Sequence, residues 1–138
     1  MTKRLMTINC YDGSDVMIIV GSCLKAVQPE AFKKLEEISS DLYELCLEET
    51  HVNMAITKII GILSRITVKK MVFATVDKSP HCVQMHYIES EIKKAMPTIN
   101  TEFIHFVAVD NNLIEISFDI IQQSKNLSLL EKNKSKNL

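Results

Sequence analysis

The chain has 138 residues, of which 46% are hydrophobic and 24% charged, and its formal net charge is −1. This length suits one domain with one core, and the near-neutral charge argues against nucleic acid as the main partner, because nucleic-acid-binding domains usually carry an excess of Lys and Arg. No stretch approaches the roughly 20 apolar residues of a membrane span, and the first residues do not resemble a signal peptide. We therefore expect a cytoplasmic protein without a membrane partner, with one domain over residues 1–123 and a flexible tail over residues 124–138.

The sequence of residues 5–20 predicts a β-hairpin. Residues 5–10 and 15–20 flank Asp12-Gly13, a common turn signal between antiparallel strands. The second arm, Val16 to Val20, is an unbroken apolar run of the kind found in a strand covered on both faces. It ends at Gly21-Ser22-Cys23, a small loop that would bring backbone N–H groups close to a ligand.

Two helices are predicted next. Apolar residues from Ala31 to Cys46 recur every three or four positions, which favours one helix from Pro29 to about Glu48 with Cys46 in its core stripe. A second helix follows from Thr50 to about Arg65. Three arrangements remain open: residues 21–29 span the sheet, one helix lies crosswise, or the next strand runs antiparallel. We favour the first two, because helical crossovers normally join parallel strands.

The middle of the chain predicts a strand, a loop and a helix. Met71 to Val76 is a short apolar run rich in strand-forming residues. Ser79 followed by Pro80 is a strong helix start, because the serine hydroxyl accepts a backbone N–H of the first turn and proline at the first position loses only an N–H that has no partner there. The helix is predicted to reach Met96, with Glu89 on its solvent side.

The last part of the chain predicts two strands and a short helix. Thr101 to Val109 is a third central strand, in which His105 is expected to be a hydrogen-bonded core residue. Asp110 to Asn112 suits a tight turn, Leu113 to Ile116 an edge strand, and Ser117 a helix cap. The predicted fold is α/β with three layers: a mostly parallel central sheet of about four or five strands, helices on both faces and antiparallel edge strands.

Four cysteines are present: Cys10, Cys23, Cys46 and Cys82. In the cytoplasm they are more often free thiols, metal ligands or redox groups than structural disulfides. No Cys-x-x-Cys pair occurs, which argues against a zinc ribbon or a dedicated ferredoxin cluster. Any metal site must therefore be assembled from distant segments.

The strongest candidate site lies between Asp77 and His86. Ligands in open α/β sheets bind at the carboxyl ends of strands, and the first turn of a helix favours an anion or a thiolate. Cys82 and His86 are four residues apart and are expected to share a helix face, which would offer two ligands to zinc or iron. Cys23 is the expected third ligand. The leading hypothesis is accordingly metal binding or thiol redox chemistry.

Two other hypotheses remain open. One is a non-enzymatic module that binds a small anionic ligand or a protein at the helix start, with Gly21, Ser22, Lys78 and Ser79 as its contacts. The other is a cysteine-nucleophile enzyme with Cys82, His81 and Asp77 in the catalytic roles. No phosphate-binding glycine motif or hydrolase serine motif occurs. A homodimer through the edge strands is compatible with each hypothesis.

The two strand-end loops also carry a family resemblance. The pattern Ile18-Ile19-Val20-Gly21-Ser22-Cys23, followed by a helix, a strand and the Ser79-Pro80-His81-Cys82 loop, resembles small α/β domains of anaerobic bacteria that are associated with 4Fe–4S ferredoxins. The resemblance covers residues 16–96. It implies that Cys23 and Cys82 are metal or redox residues and that the partner is a ferredoxin-like redox protein.

Overall fold

The computed structural model describes residues 2–136, with side chains to residue 134, and they form one six-stranded sheet with helices on both faces. The strands are β1 Thr2–Arg4, β2 Val16–Gly21, β3 Leu42–Leu45, β4 Lys70–Val76, β5 Glu102–Val109 and β6 Asn112–Ile116. The helices are α1 Leu24–Val27, α2 Pro29–Ile38, α3 Val52–Leu63, α4 Pro80–His86, α5 Ile88–Ala95, α6 Phe118–Gln123 and α7 Leu127–Lys136. The strand order is β1-β3-β2-β4-β5-β6, and only β6 pairs antiparallel. The predicted α/β class is confirmed.

The core has one apolar cluster on each face of the sheet. Helices α1 and α2 pack Leu24, Phe32 and Leu35 against one face. Helices α3, α4 and α5 pack the other face, with residues such as Ile59 and Ile88 in full burial. Because β2 and β4 carry apolar side chains toward both clusters, their continuous apolar runs mark the centre of the sheet.

Strand β3 replaces the second half of the first predicted helix, so that prediction is wrong beyond Ile38. Leu42 and Leu45 are three residues apart, a spacing that fits a helical stripe, but both are buried within the sheet between β1 and β2. Leu42 belongs to the apolar cluster on one face of the sheet, whereas Tyr43 and Leu45 belong to the cluster on the other face. Burial on both faces of a central strand has overridden the helical spacing.

The extra strand removes the geometric difficulty of two consecutive helices. Helix α2 links β2 to β3 and helix α3 links β3 to β4, and all three strands are parallel, as the two favoured arrangements required. From β2 the chain moves to β3 on one side, whereas from β4 it moves to β5 on the other. The loops after β2 and β4 therefore diverge, and such a point in an open α/β sheet is where a crevice forms.

The predicted N-terminal hairpin is wrong. Leu5–Thr7 forms a single 3-10 turn, and β1 pairs with β3 in parallel instead of folding back on β2. Gly13 serves packing, since a Cβ there would lie 2.6 Å from the Ile66 Cδ1 atom. Gly13 therefore lies in close contact with side chains of α3 and of the segment after it, and not in a turn between two strands.

The β5–β6 hairpin forms as predicted. Asp110 and Asn111 adopt φ values of 50° and 63°, which a two-residue turn between twisted strands needs. The Gln28 side chain holds this turn from α2: its Nε2 donates to the Ala108 carbonyl at 3.0 Å, and its Oε1 accepts from the Asn111 N–H at 2.8 Å. The start of α2 and the last hairpin are thus joined directly.

The long helix predicted after Ser79 is divided at Tyr87 into α4 and α5. Ser79 caps α4 and Ser117 caps α6, as predicted. In the tail, residues 127–136 form α7, and the flexibility of residues 124–138 stays a prediction. Among residues 2–136, no helix has both the length and the apolar character needed to cross a membrane.

Candidate functional site

Three of the four cysteines meet at the carboxyl edge of the sheet. Cys23 follows β2, Cys46 follows β3, and Cys82 lies on α4 after β4. They line a common cavity of about 100 Å³ together with Ser22, residues 45–48, Ser79, His81 and Met85. The parallel order β3-β2-β4 produces this arrangement, because the ends of parallel strands meet at one edge.

Helix α4 places Cys82 against the sheet. The Ser79 hydroxyl accepts a hydrogen bond from the Cys82 N–H at 3.4 Å, and Pro80 takes the first helical position. The Cys82 side chain is 8% exposed and lies over Gly21, where a Cβ would come within 3.3 Å of its sulfur. Gly21 therefore leaves the room that the Cys82 sulfur occupies.

Cys23 and Cys82 are neighbours in this cavity. The Cys23 thiol is exposed, whereas the Cys82 thiol is buried. Partial burial, the neighbouring Cys82 charge and a hydrogen bond with Cys82 raise the pKa of Cys23, and Cys46 adds a smaller effect in the same direction. The pair therefore consists of one accessible thiol and one buried thiol.

A histidine and a glutamate lie close together at the mouth of the cavity. His81 Nε2 lies 3.5 Å from a carboxylate oxygen of Glu48, and both side chains are more than half exposed. His81 lies in the first turn of α4 and Glu48 in the loop after β3, so the pair bridges two of the three segments that contribute a cysteine. Such an exposed pair contributes at most about 1 kcal/mol.

Only some of the residues that were predicted to contact an anionic ligand line the cavity. Ser22 and Ser79 line the cavity, and Gly21 lies beneath Cys82. Lys78 occupies the loop before α4 with a φ of 70°, in the left-handed region. The cavity is smaller than pockets for drug-sized ligands, which have volumes of about 300 Å³ or more. Anion binding at these residues stays a prediction.

The predicted metal set is not assembled. Cys82 and His86 both face the sheet, but both His86 ring nitrogens already have partners: Nε2 contacts the Thr75 hydroxyl at 2.7 Å and Nδ1 contacts His105 at 2.9 Å. His86 is thus a core residue instead of a ligand beside Cys82 and Cys23. Within residues 2–136, no group of three His, Cys, Asp or Glu side chains is placed to hold a metal ion such as zinc or iron.

The predicted catalytic set is also separated. His81 and Cys82 line the cavity of the three cysteines, whereas Asp77 lines a different cavity with Val83 and His86, on the side of α4 that faces α6. The charged partner of His81 is Glu48, which comes from another loop. The structure thus places Asp77 outside the cavity that His81 and Cys82 line, and the roles of Cys82, His81 and Asp77 as nucleophile, base and orienting group stay a prediction.

A second polar cluster lies in the core behind Cys82. It is a continuous series of contacts: Thr75 Oγ1 to His86 Nε2 at 2.7 Å, His86 Nδ1 to His105 Nδ1 at 2.9 Å, His105 Nε2 to Glu89 at 2.6 Å, and Glu89 to Lys93 at 2.6 Å. Thr75, His86, Glu89 and His105 are all buried. His105 is hydrogen-bonded in the core as predicted. The prediction that Glu89 faces solvent is wrong.

The charges in this cluster follow from its contacts. Burial and the neighbouring His105 lower the pKa of His86 to about 3, so its ring is neutral at pH 7. Burial alone would raise the pKa of Glu89, but the hydrogen bonds from His105 and Lys93 outweigh burial and lower it. Glu89 is thus an ionised carboxylate in the core, with its charge balanced by Lys93 at the surface.

The chain matches no protein family, no curated protein and no solved structure at a significant level. The resemblance to ferredoxin-associated domains stays a prediction.

Sequence reasoning missed three residues of these clusters. Cys46 was placed in a helix core because β3 was not recognised, and the strand assignment brings it to the cavity. Glu89 and Thr75 carry no local signal of their role, because their partners His105 and His86 lie 16 and 11 residues away. An acidic residue four positions before Lys93 was the one available sign of the Glu89 ion pair.

Proposed function

We propose that the protein catalyses thiol–disulfide exchange, with Cys23 and Cys82 cycling between a dithiol and a disulfide. The observation that carries this proposal is that an exposed thiol and a buried thiol line one cavity, at the point where the loops after β2 and β4 diverge. An accessible sulfur can attack a partner's disulfide, and a buried sulfur in contact with it can complete the exchange.

The reaction has two steps. The thiolate of Cys23 attacks one sulfur of a substrate disulfide, which forms a mixed disulfide and releases the first substrate thiolate. Cys82 loses its proton and attacks the Cys23 sulfur, which forms the Cys23–Cys82 bond and releases the second substrate thiolate. Two electrons pass from the protein dithiol to the substrate, and the two released thiolates take up two protons.

The small cavity supports a protein or peptide disulfide as the substrate. Its volume of about 100 Å³ is well below the roughly 300 Å³ at which pockets for drug-sized ligands begin, so it suits one small side chain better than a nucleotide or flavin. The His81–Glu48 pair at the mouth offers polar contacts to a partner's backbone. Four unpaired cysteines suit a reducing compartment, so we assign the protein to the cytoplasm.

Disulfide mapping tests the proposal. The reduced protein is oxidised with glutathione disulfide, the remaining thiols are alkylated, and the protein is cleaved at aspartates. Cleavage before Asp12, Asp15, Asp41, Asp77 and Asp110 leaves each cysteine on a separate peptide. We expect a cross-link between the peptides of residues 15–40 and 77–109, with Cys10 and Cys46 alkylated.

Single cysteine variants test whether Cys23 and Cys82 are the two residues that form the disulfide. Cys23→Ser and Cys82→Ser should each abolish the cross-link and the reduction of small disulfides by the protein. Cys10→Ser and Cys46→Ser should leave both intact. A protein in which Cys23 forms no bond to Cys82 under oxidation, or bonds mainly to Cys46, would contradict the proposal.

A further inference from the structure

The cavity of the three cysteines is rich in sulfur. The sulfur-bearing side chains that line it are Cys23, Cys46, Cys82 and Met85. Its other metal-ligating side chains are those of His81 and Glu48, which already face each other at the mouth, 3.5 Å apart. Thiolate and thioether sulfur are soft ligands, which favour Cu(I), zinc and iron–sulfur clusters over hard cations such as magnesium or calcium. The cavity therefore has the donor chemistry of a site for a soft metal ion.

The number of available ligands distinguishes these soft metals. Structural zinc sites take four ligands, and iron–sulfur clusters are usually held by four cysteines. In the part of the chain that the structure describes, no three His, Cys, Asp or Glu side chains are grouped to hold a metal ion. Cys23 and Cys82 nevertheless interact as a pair, through a hydrogen bond between their thiols. A pair of thiolates is a complete ligand set for Cu(I), which forms stable linear complexes with two sulfurs.

The charges at the cavity also favour a cation between the two sulfurs. A negative charge on Cys82 or Cys46 opposes the ionisation of Cys23, so neighbouring thiolates repel one another here. A cation bound between two thiolates removes this repulsion, and a thiol that coordinates a metal ion loses its proton outright. One monovalent ion would reduce the charge of the paired thiolates from −2 to −1.

We propose that the Cys23 and Cys82 thiolates bind one Cu(I) ion at the carboxyl edge of the sheet. Two sulfur–copper bonds form as the two thiols release their protons to solvent, and the copper remains Cu(I), so no electron is transferred. This site goes beyond the proposed exchange reaction and competes with it, because two sulfurs that are bonded to each other have no thiolate left for a metal ion.

The unequal exposure of the two ligands determines how the ion enters and leaves. Cys23 is exposed and Cys82 is buried. A thiolate of a partner can therefore reach the copper on the Cys23 side and replace Cys23, while Cys82 still holds the ion. The chemistry suits copper that is carried as cargo and passed between thiols, and the partner that fits it is a donor or acceptor of Cu(I) with an accessible cysteine.

Competition for Cu(I) tests the site. The reduced full-length protein is added, without oxygen, to the coloured complex of Cu(I) with bicinchoninate, and the loss of absorbance measures the Cu(I) that the protein takes. We expect one Cu(I) per chain. Cys23→Ser and Cys82→Ser should each weaken binding by more than the about 10–100-fold that changes beside a metal ligand usually cost. Cys10→Ser is the matched control and should bind as the parent does, because Cys10 is not among the residues that line this cavity.

Two further measurements define the ligands. X-ray absorption of the loaded protein should show two sulfur neighbours around the copper. Cys46→Ser should lose far less affinity than Cys23→Ser, because Cys46 is not grouped with the pair closely enough to form a three-ligand site. Equal losses in these two variants, or three sulfur neighbours, would overturn the two-ligand site.

The outcomes separate the copper site from the exchange function. A parent protein that takes no Cu(I), or a Cys23→Ser variant that binds as the parent does, overturns the copper site and leaves the exchange function standing. Cys23→Ser decides alone if Cys82→Ser does not fold, because Cys23 is exposed. A protein that binds one Cu(I) through the pair but forms no Cys23–Cys82 disulfide with glutathione disulfide keeps the copper site and overturns the exchange function.

Discussion

His86 and His105 face each other in the core with their Nδ1 atoms 2.9 Å apart. One of the two atoms must donate and the other accept, so two imidazolium rings cannot occupy these positions without losing the contact. His105 also stacks on Phe73, with ring centres 5.4 Å apart, which limits its freedom to turn away. At most one of the two rings can therefore be charged, and because burial and His105 lower the pKa of His86 to about 3, His86 is neutral at pH 7.

The low pKa of His86 predicts a loss of stability in mild acid. The folded state holds the pKa of His86 at about 3, whereas the unfolded chain takes up the proton near pH 6.5. Unfolding then binds a proton, so the free energy of unfolding should fall by up to about 1.4 kcal/mol per pH unit as the pH decreases below 6.5. Urea titrations at pH 7, 6 and 5 measure this effect, and a constant free energy over that range would contradict it.

Removal of the Glu89 carboxylate should destabilise the fold strongly. Glu89→Ala leaves the His105 Nε2–H and Lys93 without their acceptor, and removing one partner of a buried charged pair costs about 3–5 kcal/mol. Glu91→Ala is the matched control on the same helix, because its contact with Lys94 is exposed and is worth at most about 1 kcal/mol. Equal losses in chemical denaturation would show that the buried carboxylate has no special role.

The Glu89 contribution should also depend on pH. Its hydrogen bonds hold its pKa below the ordinary value, so the stability it provides is present at neutral pH and is lost as the pH falls through its folded pKa. The difference in unfolding free energy between the parent and Glu89→Gln should therefore be larger at pH 7 than at pH 3. A difference that grows toward pH 3 would contradict the assigned ion pair.

Gly21→Ala should impair the cysteine pair. The new methyl group would lie 3.3 Å from the Cys82 sulfur, closer than most such contacts, so the sulfur must shift. We expect slower Cys23–Cys82 bond formation in the oxidation assay, with a stability loss of about 1–3 kcal/mol. Gly61→Ala is the matched control, because its methyl would contact the Cys10 sulfur outside the cavity. Unchanged oxidation in Gly21→Ala would argue against the tight fit.

The reactivity of Cys23 should be governed by Cys82. Burial and the contact with Cys82 raise the pKa of Cys23, so its alkylation by iodoacetamide should be slow at pH 7 and rise steeply in alkaline solution. Cys82→Ala removes the charge and the hydrogen bond, and the profile should move to lower pH. Cys46→Ala should move it less, because Cys46 has the smallest effect. Equal shifts in the two variants would contradict this order.

The sequence predicts the central strands well because their signals are local. Val16 to Val20 and Met71 to Val76 are continuous apolar runs, and Asp110-Asn111 marks a turn that the backbone dihedrals confirm. Strand β3 was missed because Leu42 and Leu45 satisfy a helical spacing equally well. Only the placement of that segment between two other strands distinguishes the alternatives.

The candidate site was predicted in part. The Ser79-Pro80 start correctly brings Cys82 to the end of β4, and parallel strands bring Cys23 beside it. The direction of His86 was missed, because its partners Thr75 and His105 come from two different strands. Four-residue spacing places two side chains on one face of a helix, but it does not determine whether that face is exposed to solvent or packs against the sheet.

The hydrogen bonds from the Gln28 side chain to the β5–β6 turn affect when the domain can finish folding during synthesis. Gln28 leaves the ribosome long before Asn111, its partner 83 residues later, and a domain generally folds as a unit once its chain is available. Until that turn arrives, both polar ends of the Gln28 amide lack these partners. The contacts that fix the start of α2 therefore form only after the β5–β6 hairpin has been synthesised. A polypeptide halted before Asn111 would expose an unpaired sheet edge to aggregation or proteolysis.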